Sequence, residues 1–321
     1  MTTAARTAYR DLLVELMAGD PRLYCLDSDT GLFTGIDFGA AADRYLNVGI
    51  AEHNLMGVAA GLAASGKIPF VNTMATFATT RALESIKINI AYNALPVRVV
   101  ATHGGLSAGH LGPTHHALED LAIMRIMPGF TVVVPADADA TEEAVRQSLD
   151  LPGPVYLRVG RKATPALPTD AARDAMKLGR AQRLRGGGDI GILACGPHPV
   201  HAALRAAERL AGRGIEAEVL NLHTLKPLDV DAVVAIAERT PGLITIEEHW
   251  RSGGLGGAVA ETLVEHAPAR LIRIGMPETF VQVVGDQDHL LDHYDITDDQ
   301  IVRSALDILE GVPDGPDLSR V

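Results

Sequence analysis

Positive charge, cysteine and long apolar runs are all scarce in this chain, and each shortage removes a class of function. Against 40 Asp and Glu stand only 28 Lys and Arg, a formal net charge of -12 over 321 residues. Nucleic acid and anionic membrane surfaces need a basic face, so both are poor partners. Any anionic substrate must be held by a few local cations. Only two cysteines occur, Cys25 and Cys195, each inside an apolar run (Leu23-Tyr-Cys-Leu26 and Ile190-Gly-Ile-Leu-Ala-Cys195), and they read as buried free thiols rather than a disulfide. No stretch reaches the roughly 18 consecutive apolar residues of a membrane span. The opening Met-Thr-Thr-Ala-Ala-Arg6 lacks the apolar core of a secretory signal, so the expected location is cytoplasmic.

What is present is a globular composition, with 47% hydrophobic residues, in a chain long enough that two domains are expected. Short β-branched runs (Leu23–Leu26, Tyr45–Ile50, Pro69–Asn72, Val97–Thr102, Thr131–Val134, Val155–Val159) alternate with helical spacings such as Leu55, Met56, Ala59, Leu62 and Leu83, Ile86, Ile90. The expected fold class is therefore α/β: two domains, each with a mostly parallel sheet flanked by helices. The first domain is placed at 1–163. Residues 164–180, with prolines, alanines and mixed charge, read as a linker. The second domain takes 181–321, with strands at Ile190–Cys195, Ala217–Asn221, Leu243–Ile246 and Leu271–Ile274 and helices starting near Pro199, Leu228, Gly256 and Thr297.

The most informative stretch is Asn47-Val-Gly-Ile-Ala-Glu-His-Asn-Leu-Met-Gly57, which sets Glu52 where an apolar strand gives way to an apolar helix. Two readings of Glu52 are open locally. An acid in the first turn of a helix complements the macrodipole. Alternatively, a carboxyl among Ile50, Leu55 and Met56 is dry and shares a proton with a nitrogen heterocycle. Downstream follow Thr76-Phe77, Gly112-Pro-Thr-His115-His116, Pro135-Ala-Asp137 and Gly153-Pro-Val-Tyr-Leu-Arg-Val-Gly-Arg161. Taken with Gly49-Ile-Ala-Glu52, this series resembles, in order and spacing, the pyrimidine-binding and C-terminal domains of transketolase over essentially the whole chain.

The resemblance implies a transferase that uses thiamine diphosphate to move a two-carbon ketol unit from a ketose phosphate to an aldehyde. It implies that Glu52 activates the aminopyrimidine and that Phe77, at the end of a strand, stacks on it. It assigns His115 and His110 to the reacting oxygens and His103 with Arg161 to the substrate phosphate, and it aligns Arg6 near the phosphate and Asp29 near the cofactor. Histidine and the guanidinium fork suit those tasks. Two departures stand out: Thr80 replaces a second aromatic, and Leu111 replaces an aspartate that reads the acceptor hydroxyl. The loop Thr102-His-Gly-Gly-Leu-Ser-Ala-Gly-His-Leu-Gly-Pro-Thr-His-His116 holds four histidines but no cysteine or carboxylate at ligand spacing, so no metal site is expected on this chain.

Thiamine enzymes hold the diphosphate through a divalent cation bound by Gly-Asp-Gly and a downstream asparagine. Here Gly19-Asp20-Pro21 runs into proline, and Gly285-Asp286-Gln287 has no asparagine after it. The expectation is a split enzyme: a large subunit carries the diphosphate-binding domain and the Mg2+ or Ca2+ ligands, assembled with this chain as an α2β2 heterotetramer. Rival readings are a 2-oxoacid dehydrogenase β-type subunit and a deoxyxylulose-phosphate synthase-like enzyme, which normally has an arginine where Gly104 stands. A nucleotide-binding module is a third, prompted by Gly253-Gly-Leu-Gly-Gly257.

Overall fold

The computed structural model describes residues 3–168 and 176–311. Residues 169–175 of the expected linker and 312–321 of the expected second domain lie outside the described residues. The first half runs α1 (Ala5–Gly19), β1 (Leu23–Asp27), β2 (Tyr45–Asn47), α2 (Glu52–Ala64), β3 (Ile68–Met74), α3 (Leu83–Ser85), β4 (Arg98–Thr102), α4 (Asp120–Ile126), β5 (Thr131–Val133), α5 (Ala138–Ser148) and β6 (Val155–Arg158). The second runs β7 (Gln182–Arg185), β8 (Ile190–Ala194), α6 (Pro197–Ala211), β9 (Ala217–Asn221), β10 (Thr224–Lys226), α7 (Val230–Arg239), β11 (Leu243–Trp250), α8 (Leu255–His266), β12 (Leu271–Met276), α9 (Gln287–His293) and α10 (Asp298–Leu309).

Two sheets result, of seven strands (order β10-β5-β6-β4-β3-β1-β2) and five (β12-β11-β8-β9-β7). Both are parallel apart from β10 on β5 and β7 on β9. In the first sheet alternate residues face opposite layers: Leu26, Val71 and Val99 enter one apolar cluster, Cys25, Phe70 and Val100 another. Such two-sided burial is what parallel strands covered by helices require. Both cysteines are free and buried.

The halves are joined more intimately than two domains on a linker would be. Strand β10 leaves the second half to pair with β5 of the first. One apolar cluster takes Leu121, Met124 and Val134 together with Leu193, Leu220 and Val259. A second seats Leu106 and Leu118 among Ile192, Ile244 and Ile274.

Three local expectations change. The strand expected over Tyr45–Ile50 ends at Asn47, because Gly49 turns the chain at φ 72°; Ile50 is then 74% exposed instead of walling in Glu52, while Leu55 and Met56 are buried. Phe77 belongs not to a strand end but to a π-helical turn, Phe77–Arg81. The glycines Gly253–Gly257 open α8, but its first free N–H groups, on Leu255 and Gly256, already bond the Glu247 carboxylate (2.6 and 2.7 Å). A Cβ on Gly254 would overlap that carboxylate. These glycines admit Glu247 to the helix terminus, and the nucleotide-binding reading fails.

Replacing Gly254 with Ala should therefore force Glu247 off the helix terminus and destabilise the chain by about 1–3 kcal/mol. Urea unfolding of the two proteins checks this, and an unchanged midpoint would contradict it.

Candidate active site

The chemistry-bearing residues of the first sheet collect beyond the carboxyl ends of its strands, where parallel α/β sheets bind ligands. Asp29 follows β1, Glu52 follows β2, Phe77 and Arg81 follow β3, His103 follows β4 and Arg161 follows β6. These positions, scattered over more than a hundred residues of sequence, are thereby brought to one edge.

Glu52 opens α2 with its side chain 2% exposed. Its partner is Arg81, whose Nη1 donates to Oε2 at 2.9 Å and whose side chain is 48% exposed. The same guanidinium lies over the Phe77 ring, 4.4 Å from its centroid, a cation–π contact. A π turn closes i to i+5, here Ala82 N–H to Phe77 O at 3.1 Å; being wider than an α turn, it brings residues i and i+4 nearly one above the other and so sets Arg81 over Phe77. The Phe77 and His115 rings meet nearly at right angles, with centroids 5.3 Å apart and planes at 76°. Glu52, Arg81, Phe77 and His115 form one continuous chain of contacts. A flat cation thus rests on an aromatic face while bonding a buried carboxylate, two contacts that a planar nitrogen heterocycle can also make. Arg81 was not foreseen from the sequence, although its i+4 spacing from Phe77 signals it.

Beside this chain lies a concentration of positive charge. His103 is buried at a left-handed backbone position (φ 59°) with Nδ1 2.9 Å from Thr102 Oγ1. Burial, followed by the positive charges of Arg161, Arg6 and His115, pushes its imidazole down to about 4. Arg6 is likewise lowered, by burial and then by Arg161 and Arg10. Arg161 donates Nη1 to Ser107 O at 3.0 Å. Arg158, two strand positions from Gly160, does not join them: it is buried, ion-paired to Asp120 at 3.0 Å and bonded to Ala117 O and Glu248 O. Two neighbouring guanidiniums beside a buried, uncharged imidazole make a site that suits an anion.

The remaining candidates sit nearer solvent. His110 and Leu111 are exposed in a short 3-10 turn, Gly109–Leu111, and Thr80 is exposed as well. Asp29 is exposed at φ 61° and accepts from Asn47 Nδ2 at 3.3 Å. Neither metal-motif mimic is available to a cation: Asp20 is held by Arg22 at 2.7 Å, and Asp286 caps α9 through His289 N–H. Among the described residues, no three His, Cys, Asp or Glu side chains group as a metal site.

Residues 1–166 match the family model described as transketolase, pyrimidine binding domain, and residues 179–301 match transketolase, C-terminal domain. The chain belongs to the transketolase family. It is 42% identical to the 6-deoxy-6-sulfo-D-fructose transketolase subunit SqwH of Clostridium sp. (strain MSTE9), covering 95% of this chain and 94% of that one. To one subunit of the apulose-4-phosphate transketolase of Phocaeicola vulgatus it is 39% identical, covering 96% and 98%. A solved split gene transketolase, described as an inactive beta4 tetramer, superposes with a TM-score of 0.86 at 40% identity, covering 97% of this chain and 99% of that one. This transketolase-family chain thus corresponds end to end to the separate small subunits of split members, and the resemblance and fold class expected from the sequence both hold.

Within that family frame, the loop leaves no room for the arginine expected of a deoxyxylulose-phosphate synthase, since a Cβ on Gly104 would overlap the Arg158 side chain. Two further residues escaped the sequence reading. Asp27, at the end of β1, is buried; burial raises its carboxyl above the usual range against hydrogen bonds from Thr30. Glu248 reaches from β11 into the histidine loop and accepts from Leu106 N–H at 2.6 Å.

The His103 shift has a measurable consequence. A native imidazole that binds its proton less readily than the unfolded one adds stability that is present above the ordinary value of 6.5 and lost as pH falls through about 4. Histidine-ring NMR titration of the chain should give a midpoint near 4 for His103, rising when inorganic phosphate is added. A midpoint near 6.5 that phosphate does not move would contradict the anion-site reading.

Proposed function

We propose that this chain is the small subunit of a heteromeric, thiamine diphosphate-dependent transketolase that transfers a two-carbon ketol unit from a ketose phosphate to an aldehyde. Residues 1–163 are taken as its pyrimidine-binding domain, 164–180 as the linker and 181–321 as the C-terminal domain. The observation that carries the reading is Glu52: a buried carboxylate whose only hydrogen-bond donor among the described residues is a half-exposed arginine resting on an aromatic ring. Arg81 is half in solvent and can turn out to water, but a carboxylate left buried alone is costly, so the exchange is favourable when another donor takes its place on Glu52. Its departure leaves a carboxyl and a ring face adjoining, the two groups a pyrimidine needs.

In this reading Glu52 would bond the aminopyrimidine of the cofactor, Phe77 would support its ring, and Asp29 is taken as a further cofactor-binding residue. His115, already in contact with the Phe77 ring, and the exposed His110 orient and exchange protons with substrate oxygens. His103, Arg161 and Arg6 hold the substrate phosphate. Bound there, the cofactor supplies the nucleophilic carbon that takes up and hands on the two-carbon unit. The diphosphate and its Mg2+ or Ca2+ are assigned to a large subunit, with which this chain forms an α2β2 heterotetramer in the cytoplasm. Exposed large apolar side chains such as Ile50, Ile88, Tyr92 and Leu111 are of the kind that a partner covers. The beta4 assembly of the similar split enzyme is described as inactive, in keeping with a small subunit that needs a partner. Among the described residues, no helix is long and apolar enough to cross a membrane.

The chain alone should show no ketol transfer and should gain it with its large subunit. In that complex Glu52→Ala should lower kcat by about 10²–10⁴-fold while the chain stays folded, since the Arg81 it orphans is already solvated. Wild-type turnover by the variant, or by the lone chain, would overturn the assignment.

A further inference from the structure

The loop that carries His103, His110 and His115 is rich in glycine and has little regular structure beyond one short 3-10 turn. Its shape must come from what it touches, and much of that lies in the C-terminal half. Leu106 is fully buried in the core of the second sheet. Its N–H is bonded by Glu248 Oε1 at 2.6 Å. Gln287, the first residue of α9, donates Nε2 to both oxygens of Glu248 at 3.0 Å. Gly105 crosses Glu248 so closely that a Cβ there would come within 2.6 Å of the side chain, and Gly105 also pairs with Ala117 to close the base of the loop. Further along, Gly109 packs on Gly285, with 3.3 Å between its would-be Cβ and the Gly285 carbonyl.

Burying a carboxylate carries a desolvation cost that is offset only where each oxygen is well bonded. Glu248 is 6% exposed and Gln287 4%; among the described residues Glu248 has no ion pair within 4 Å, although its charge acts on the buried Arg158. Their hydrogen bonds instead join β11 and α9 to one backbone amide, three residues from His103. We propose that Glu248, braced by Gln287, is a positioning residue: it is the latch by which the C-terminal domain fixes the histidine loop on the substrate. This rests on the reading of the loop histidines as substrate groups, and it gives the C-terminal domain a task in the reaction.

The test uses the complex with the large subunit. Glu248→Ala should raise KM for the ketose phosphate and reduce kcat/KM by about 10²-fold, with thiamine diphosphate affinity within about twofold of wild type, since Glu52 and Phe77 are not held by the latch. Hydrogen–deuterium exchange of the peptide spanning 103–116 should speed up. Glu248→Gln should recover most of the loss: it keeps an acceptor for Leu106 N–H, and on flipping, Gln287 Oε1, which has no partner among the described residues, accepts from the new amide. If Glu248→Ala does not assemble, Gln287→Met removes the brace alone and should raise KM by about fivefold. The proposal is overturned if a folded variant keeps KM and loop exchange at wild-type values, if KM and cofactor affinity weaken together, or if Glu248→Gln is as impaired as Glu248→Ala. A wild-type complex inactive on every ketose phosphate tried would instead overturn the functional reading, and loop exchange would still decide whether the latch exists.

Discussion

A carboxylate taken out of water must find a partner, and the whole candidate site is organised by how Glu52 finds one. Its place at the first turn of α2 is fixed by the turn at Gly49 and by burial of Leu55 and Met56. No residue of the strands beneath it supplies a counter-charge; the donor comes from a π-helical turn after β3, and that donor is half in solvent. A carboxylate meant only for stability would be served better by a buried arginine of the kind that Arg158 provides for Asp120. The contrast between those two pairs separates a structural ion pair from one that can open.

The electrostatics follow the same division. A chain with a net charge of -12 repels anions at long range, yet Arg6, Arg161, His103 and His115 converge at one sheet edge. The repulsion between Arg6 and Arg161, beside which burial keeps the His103 ring uncharged, is tolerated because the sheet fixes each backbone independently: His103 follows β4, Arg161 follows β6, and Arg6 is tied by its N–H to Gly160 O. Repulsion relieved by a bound anion is binding free energy already built into the fold. The C-terminal half contributes by packing. Its sheet shares an apolar core with the first, and its polar reach, through Glu248 braced by Gln287, is directed at the histidine loop of the first half.

Much of this was legible in the sequence where local pattern and tertiary role agree. Strand periodicity located most of the parallel strands, and the family resemblance singled out Glu52, Phe77, His103, His115 and Arg161, which the fold gathers at one edge. What escaped was set by contacts remote in sequence. Strand β10 is three residues long and exists because β5 offers it an edge. Arg81 joins Glu52 across 29 positions, and the extra residue of a π turn is invisible to a 3.6-residue pattern. Strand β11 seemed to end at Ile246 because Glu247, Glu248 and His249 are polar, yet all three are buried. Three consecutive polar residues inside a strand were themselves the signal, since each demands a partner.

The central claim is that Glu52 belongs to the pyrimidine of a cofactor whose charged end is gripped by another chain. A structure of the complex of this chain with its large subunit and thiamine diphosphate tests it most directly. The account predicts the Glu52 carboxyl at hydrogen-bond distance from a nitrogen of the aminopyrimidine, the ring against Phe77, and Arg81 turned away from both. A cofactor bound with Arg81 still on Glu52 and the pyrimidine elsewhere would contradict it.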